Sequence, residues 1–413
     1  LSEKKLFFRY AVPDYPLSVP ATVLTTQLNT LVNELLKESV DSNATFDFDF
    51  LVCNEFLRTS LTEHINERGV STEEVITVEY LERHPPPEPQ DCLIHDDWVS
   101  AVAANIILLF LGIHHQSNPY CRTDVNDYSA SQDQTAILWD WNITDNSIEC
   151  VQICRGHERG LESVAVNHNA QLIATGSWDT MVKIWSASKS VDERSNDGES
   201  ASKKLKTDHG KIRVSSLSII HGAILKNKNF LINNFLIILS QTPELTMKGH
   251  KEAISGVVWS NKSELVTSSW DHTLKLWDTE LGGIKHEIPG NKSFFDVAYS
   301  SLAQVLVAAS ADRHIRLFDP RSTEGSVVKT TFTSHTQWVQ SVCWSTTDGN
   351  LFLSGAYDNQ VKLWDTRSPK APLFDLSGHE DKVLSCNWSN PKFMVSGGAD
   401  NTVRIFKSKH AIH

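Results

Sequence analysis

Residues 351–365 read LFLSGAYDNQVKLWD. Two apolar runs flank a turn of small residues that carries Asp358, and Trp364 stands six positions beyond it. Apolar and polar residues alternating on either side of a tight turn mark a β-hairpin. The same grammar recurs at 129–140 (SASQDQTAILWD), 174–185 (ATGSWDTMVKIW), 266–278 (VTSSWDHTLKLWD), 307–319 (VAASADRHIRLFD) and 394–406 (MVSGGADNTVRIF). The paired landmarks are Asp133 and Trp139, Asp179 and Trp185, Asp271 and Trp277, Asp312 and Phe318, Asp358 and Trp364, and Asp400 and Phe406. Upstream stand His157, His250, His335 and His379, each after Gly or Ser and 28, 27, 29 and 27 residues before its aromatic.

Between each His and its hairpin runs another alternating strand, such as ISGVVWS or VQSVCWS, so each unit holds four strands. The repeating polar residues suit a buried hydrogen-bond chain. The His, a strand hydroxyl (Thr175, Ser268, Ser354 or Ser396), the turn Asp and the Trp indole N–H can all find partners in it. Leaving one unpaired costs about 1–3 kcal/mol. That reading makes these Asp and His residues architectural rather than an acid-base pair. The units resemble the WD-repeat family, and the resemblance implies a β-propeller ring, seven-bladed by design.

Two irregularities interrupt the ring. Trp185 and Trp277 are 92 residues apart, about one period more than their neighbours, which places an insertion at about 187–241. It opens hydrophilic (SVDERSNDGESASKKLK) and ends apolar (NFLINNFLIILSQ). Nearer the front, HDDWVSAV at 95–102 opens a further blade, yet only 41 residues separate Trp98 from Trp139. The first or second blade is therefore expected to be cut short. The last blade has only three strands of its own, so residues near 90–95 are expected to supply its outer strand.

Residues 5–83 follow another pattern. A strand at 5–11 (KLFFRYA), a second at 17–23, a helix at 25–39 with Leu28, Leu31, Val32, Leu35 and Leu36 on one face, and strands at 48–53 and 75–83 succeed one another. That order resembles the ubiquitin-like β-grasp fold, by analogy of arrangement. The expected layout is a small α+β ubiquitin-like domain at 1–84, a Pro-rich linker and ring-closing strand at 85–94, and a mainly β propeller at 95–408. The front domain reads as a docking module.

The bulk numbers agree with a globular protein that has a sizeable core: 413 residues, 40% hydrophobic and 21% charged. A net charge of -12 argues against a generally basic, nucleic-acid-coating surface; the residues leave a local RNA contact open. Seven scattered cysteines (Cys53, Cys92, Cys121, Cys150, Cys154, Cys343 and Cys386) fit a reducing compartment. Cys150 and Cys154 lack zinc-ligand companions at motif spacing. No secretory leader is read at the start. The apolar runs at 106–111 and 230–239 are too short to cross a bilayer. No nucleophile elbow, phosphate loop or metalloprotease motif is present, so no enzyme, cofactor or intrinsic metal is expected.

FDFL, LRTSL, GVSTEEVITVEY, HDDWVSAV, DRHIRLFDPR, VKLWDTR, GHEDKVLSCNWS and GGADNTVR occur in this order. Together they resemble the WD-repeat-containing protein 12 family of eukaryotic ribosome-biogenesis factors, over the whole chain except 103–127 and about 187–241. The resemblance implies a non-catalytic scaffold needed for pre-rRNA processing and maturation of the large (60S) subunit. Its implied partners are pescadillo, the block-of-proliferation protein through a propeller-to-propeller contact, midasin through the ubiquitin-like domain, and the pre-60S particle. Its implied location is the nucleolus and nucleoplasm. By the match of GVSTEEV, Glu73, with Glu74 as the neighbouring alternative, is the carboxylate offered to midasin's metal-ion site. Lys203, Lys204 and Lys206 form a short basic cluster of the nuclear-import kind. The competing reading is a substrate receptor of a cullin ubiquitin ligase, carried by the Trp-Asp-x-Arg string at Trp364, Asp365, Thr366 and Arg367, with a looser copy from Phe318 to Arg321.

Overall fold

The computed structural model describes residues 17–37, 46–69, 75–94, 99–104, 109–113, 120–122, 126–130, 133–142, 147–169, 171–186, 239–321 and 328–408. Among these, the front part holds helix α1 (Thr25–Lys37), strands β1 (Phe48–Val52) and β2 (Glu55–Phe56), helix α2 (Leu61–Arg68) and strand β3 (Val78–Glu82). The strands form one antiparallel sheet in the order β2-β1-β3. Leu28, Val32 and Leu36 recur at helical spacing on α1 and meet Phe48, Phe50 and Val52 of β1 in one apolar core.

The strand expected at 17–23 is not one. Pro20 removes a ladder donor there, and the segment turns at Ala21 instead, whose carbonyl accepts from Thr62 N–H at 2.9 Å. Helix α2 was not foreseen. Its start is a capping box: Ser60 Oγ accepts from Glu63 N–H, and the Glu63 carboxylate accepts from Ser60 N–H. The strand expected at 5–11 lies outside the described residues.

Seven further sheets make the blades of a propeller. Blade 3 runs Leu161–Val166, Leu172–Ser177, Met181–Ser186 and Leu245–Lys248, and blade 4 runs Ile254–Trp259, Glu264–Ser269, Thr273–Asp278 and Gly283–Pro289. Blade 5 is Phe294–Ser300, Val305–Ser310, Ile315–Phe318 and Val328–Phe332. Blade 6 is Val339–Trp344, Leu351–Ala356, Val361–Asp365 and Phe374–Leu376. Their second strands are buried along almost every residue, because a neighbouring blade covers each face. Gly355 shows how close the blades lie: a Cβ there would stand 2.6 Å from Val383 Cγ1 of the next blade.

Blade 7 takes three strands from the end of the propeller, Val383–Asn390, Phe393–Gly398 and Thr402–Lys407, and its outer strand β4 (Glu88–Ile94) from before the first blade. Glu88 pairs with Lys407 and Ile94 with Thr402. Pro89 fits because an outermost strand has one edge that makes no ladder bonds. Blade 1 is the short one, with Val99–Ala104 and Leu109–Ile113 as its strands among the described residues. Its inner strand still touches the inner strands of blades 7 and 2, so the ring of seven is closed.

Blade 2 is wider than expected. Beyond Tyr120–Arg122, Asn126–Ala130, Thr135–Asn142 and Ser147–Arg155, a fifth strand, Leu239–Gln241, lies parallel to residues 152–154. The insertion placed at 187–241 thus returns to the fold by residue 239, and its remainder lies outside the described residues.

Candidate functional site

Among the described residues, three blades carry a complete polar chain and a fourth carries all of it but the indole. In blade 3, Trp185 Nε1 donates to Thr175 Oγ1 at 2.9 Å, that hydroxyl meets His157 Nε2 at 2.7 Å, and His157 Nδ1 meets Asp179 Oδ2 at 2.8 Å. Blade 4 repeats this with Trp277, Thr267, His250 and Asp271, and blade 6 with Trp364, Ser354, His335 and Asp358. Blade 7 keeps His379, Ser396 and Asp400, with Phe406 in place of the indole. The hydroxyl of blade 4 is Thr267 and not the expected Ser268; the four-residue spacing to the turn Asp seen in the other blades also selects Thr267. One residue along a strand reverses the face, and Ser268 Oγ instead meets Ser255 Oγ at 3.0 Å.

One tautomer satisfies every member. In blades 3, 4 and 6 the indole N–H donates to the hydroxyl, and a ring that accepts at Nε2 and donates from Nδ1–H to the carboxylate leaves no member unpaired. Burial lowers His335 and His379 below the ordinary 6.5, outweighing the support of Asp358 and Asp400. For the carboxylates burial works the other way but is outweighed. The bonds from His157 and from Glu158 N–H hold Asp179 down at about 2, and Asp271, Asp358 and Asp400 are lowered in the same manner. Neither histidine nitrogen is free to move a substrate proton. Their work is to lock the Asp turns.

Blade 5 departs from the pattern: Asp312 accepts from Arg316 Nη1 at 3.1 Å and from the His314 backbone N–H at 3.2 Å. In blade 2, Asp133 accepts from Thr135 N–H and Oγ1–H at 3.0 and 2.6 Å.

The locked turns present an aromatic arc on one face of the ring. Trp178, Trp270 and Tyr357 immediately precede Asp179, Asp271 and Asp358, while Phe295 and Trp338 stand at the entries to inner strands. Their ring centroids succeed one another across blades 3 to 6 at 5.1, 6.5, 5.6 and 5.7 Å. Lys382 of blade 7 ends the series, 5.1 Å from the Tyr357 ring. Trp178 is 37% and Trp338 49% exposed. The arc is rigid from below: the backbone N–H groups of Trp178, Trp270 and Tyr357 donate to Gly160, Ala253 and Trp338 carbonyls at 3.0, 3.0 and 2.8 Å. Trp178 Nε1 is aimed by Glu162 at 2.8 Å. Exposed, preorganised Trp and Tyr are the residues that anchor protein interfaces. Sequence reading passed over them, although Trp-Asp and Tyr-Asp in blades 3, 4 and 6 against Ala-Asp in blades 5 and 7 was the available signal.

Other expected residues fare differently. Arg367 of the Trp-Asp-x-Arg string is turned back on buried Asp365, Nε to Oδ1 at 2.8 Å, and feels Glu79 of the front domain. Glu73, Glu74, Lys203, Lys204 and Lys206 lie outside the described residues. Cys154 is buried and its thiol is pushed up to about 12 by desolvation. Among the described residues no group of three His, Cys, Asp or Glu could hold a metal, and no helix is long and apolar enough to cross a membrane. A cleft of about 240 Å³ lined by Leu51, Cys53, Asn54, Val75, Ile76, Thr77 and Glu79 is smaller than the usual ~300–1,000 Å³ of a small-molecule site.

The NLE (NUC135) domain family matches residues 2–65. The WD domain, G-beta repeat family matches 148–186, 241–278, 282–319, 326–365 and 370–407. Relatives from Aedes aegypti and Culex quinquefasciatus, each named "Ribosome biogenesis protein WDR12 homolog", are 50% identical over 98% of this chain and 94% of their own length. One of the same name from Drosophila erecta is 48% identical with the same coverage.

Proposed function

Because the chain belongs to the family of WDR12-homolog ribosome biogenesis proteins, we propose that it is a non-catalytic scaffold for maturation of the large ribosomal subunit and its pre-rRNA. Two surfaces divide the work. The propeller docks, through the face bearing Trp178, Trp270, Trp338 and Tyr357, on the propeller of the block-of-proliferation protein, in a complex with pescadillo on pre-60S particles. The ubiquitin-like front domain offers Glu73, with Glu74 beside it, to the metal site of midasin; Mg²⁺ keeps octahedral oxygen coordination and accepts a carboxylate in place of a water. The protein works in the nucleolus and nucleoplasm, with Lys203, Lys204 and Lys206 as an import signal. The observation that carries the docking surface is the unbroken aromatic arc.

The test is affinity purification of the tagged full chain, with and without RNase, read by mass spectrometry. Pescadillo and the block-of-proliferation protein are expected in both samples, and a cullin adaptor in their place overturns the scaffold reading. A folded Trp178→Ser/Trp338→Ser variant is expected to lose the propeller partner and keep midasin. Glu73→Ala is expected to do the reverse.

A further inference from the structure

The front domain is seated on the outer edge of blade 6. Leu51 and Phe56, from the sheet face turned away from α1, share one apolar cluster with Leu373, Leu376, Trp388 and Phe406 of blades 6 and 7, and Leu81 packs on it. At its margin the Glu55 carboxylate, 4% exposed, lies between Arg68 of its own domain and Lys370 of blade 6, whose Nζ is 3.1 Å from Oε1 without the alignment of a hydrogen bond. Glu79 adds its field at Arg367.

The same domain is tied covalently to the closure of the ring. Strand β3 ends at Glu82, and after residues 83–87 the chain enters β4 at Glu88, opposite Lys407. Five residues reach at most about 18 Å, so a seated domain holds the first ladder pair close to its docking place. Phe406, which faces Pro89 across that ladder, belongs to the very cluster that receives Leu51 and Phe56. Seam and ladder thus share side chains as well as a short tether.

We propose that the front domain clamps the ring: its seating on blade 6 and the seating of β4 on blade 7 form one cooperative unit. Undocking of the domain loosens β4 from its Glu88 end, and loosening of β4 releases the domain. A partner that takes the Leu51–Phe56 sheet face must displace blade 6, and in doing so unfastens the outer strand of blade 7. Contacts sharing residues and a tether couple, where distant contacts merely add.

The experiment is hydrogen–deuterium exchange on the full chain, with docking followed by small-angle scattering. Lys370 is half exposed, so Lys370→Glu sets two carboxylates together without emptying a core. With the domain off, exchange in 88–94 and 402–407 is expected to rise about tenfold or more, while 254–289 of blade 4 stays unchanged and Lys370→Arg behaves as the parent. Should Lys370→Glu alone leave the domain seated, Leu81→Asp/Lys370→Glu removes the apolar contact too. An undocked domain with unchanged exchange in 88–94 overturns the clamp, as does a parent chain whose front domain is free in solution.

Discussion

Thr180, His272, Arg313, Asn359 and Asn401 each follow a turn Asp, and each has positive φ, from 60° to 71°. Asn tolerates that region, whereas a β-branched residue is strained in it. Thr180→Asn, copying blades 6 and 7, is therefore expected to stabilise the protein by about 0.5–1 kcal/mol, read as a raised midpoint of urea unfolding. Asp296 offers a second residue-level test. It lies half-buried between blades 5 and 6, accepts from Val297 N–H, Val342 N–H and Ser341 Oγ–H, and desolvation raises it to about 6. A folded pKa above the unfolded one gives stability that is lost as pH rises through about 6. Asp296→Asn should thus gain on the parent at pH 7.5 by about 3 kcal/mol and by only about half as much at pH 5, since the loss accrues between the unfolded and folded pKa values; an equal effect at both values would refute ionisation as the cause. The histidines act oppositely. His335 and His379 are held below 6.5, so their contribution is full above that pH and falls as the unfolded chain takes up protons below it.

Within a blade, the polar chain and the close approach of neighbouring sheets set what each strand tolerates. Thr267→Val should leave the His250 and Trp277 nitrogens without a shared partner and cost about 1–3 kcal/mol. Ser268→Ala, one position along, loses a peripheral bond, and a cost equal to that of Thr267→Val in denaturant titration would contradict the assignment of the blade hydroxyl. Gly355→Ala drives a methyl toward Val383 and is expected to cost about 1–3 kcal/mol by overpacking, read in the same titration. These elements were legible because the hydrogen-bond chain fixes His, hydroxyl, Asp and Trp at set distances along the strands. The error at Ser268 arose where two adjacent hydroxyls offered themselves, and the spacing to the turn Asp, which sets the face of the strand, decides for Thr267. Residues 17–23 misled for a related reason, since alternation survives there while Pro20 removes a donor a ladder needs.

For the whole molecule, ring closure governs what could be read in advance. The seven-blade ring was expected from the resemblance to WD-repeat proteins, and the loan of an outer strand from before blade 1 from counting strands in the last repeat. Blade 1 was hard to place because its landmark Asp and third strand are missing from the pattern, leaving only spacing to argue from. The residue before each turn Asp hinted at the aromatic arc, but its continuity was hidden because members stand as far apart in sequence as Trp178 and Trp270, and the circular arrangement makes them neighbours. The seating of Leu51 and Phe56 on blades 6 and 7 was equally hidden, since nothing in β1 or β2 distinguishes a side chain bound for the domain's own core from one bound for another domain.

The pairing of Glu88 with Lys407 also sets a schedule. The two residues are 319 positions apart, so at a synthesis rate of about 5–20 residues per second β4 leaves the ribosome roughly 16–64 seconds before its partner strand is made. Throughout that interval β4 is an unpaired edge in search of a ladder, open to strand addition by other chains. A permuted chain that carries β4 after residue 408 would shorten the wait to about a second or two at the same rate, and its yield of folded protein should depend less on chaperones that shield nascent strands.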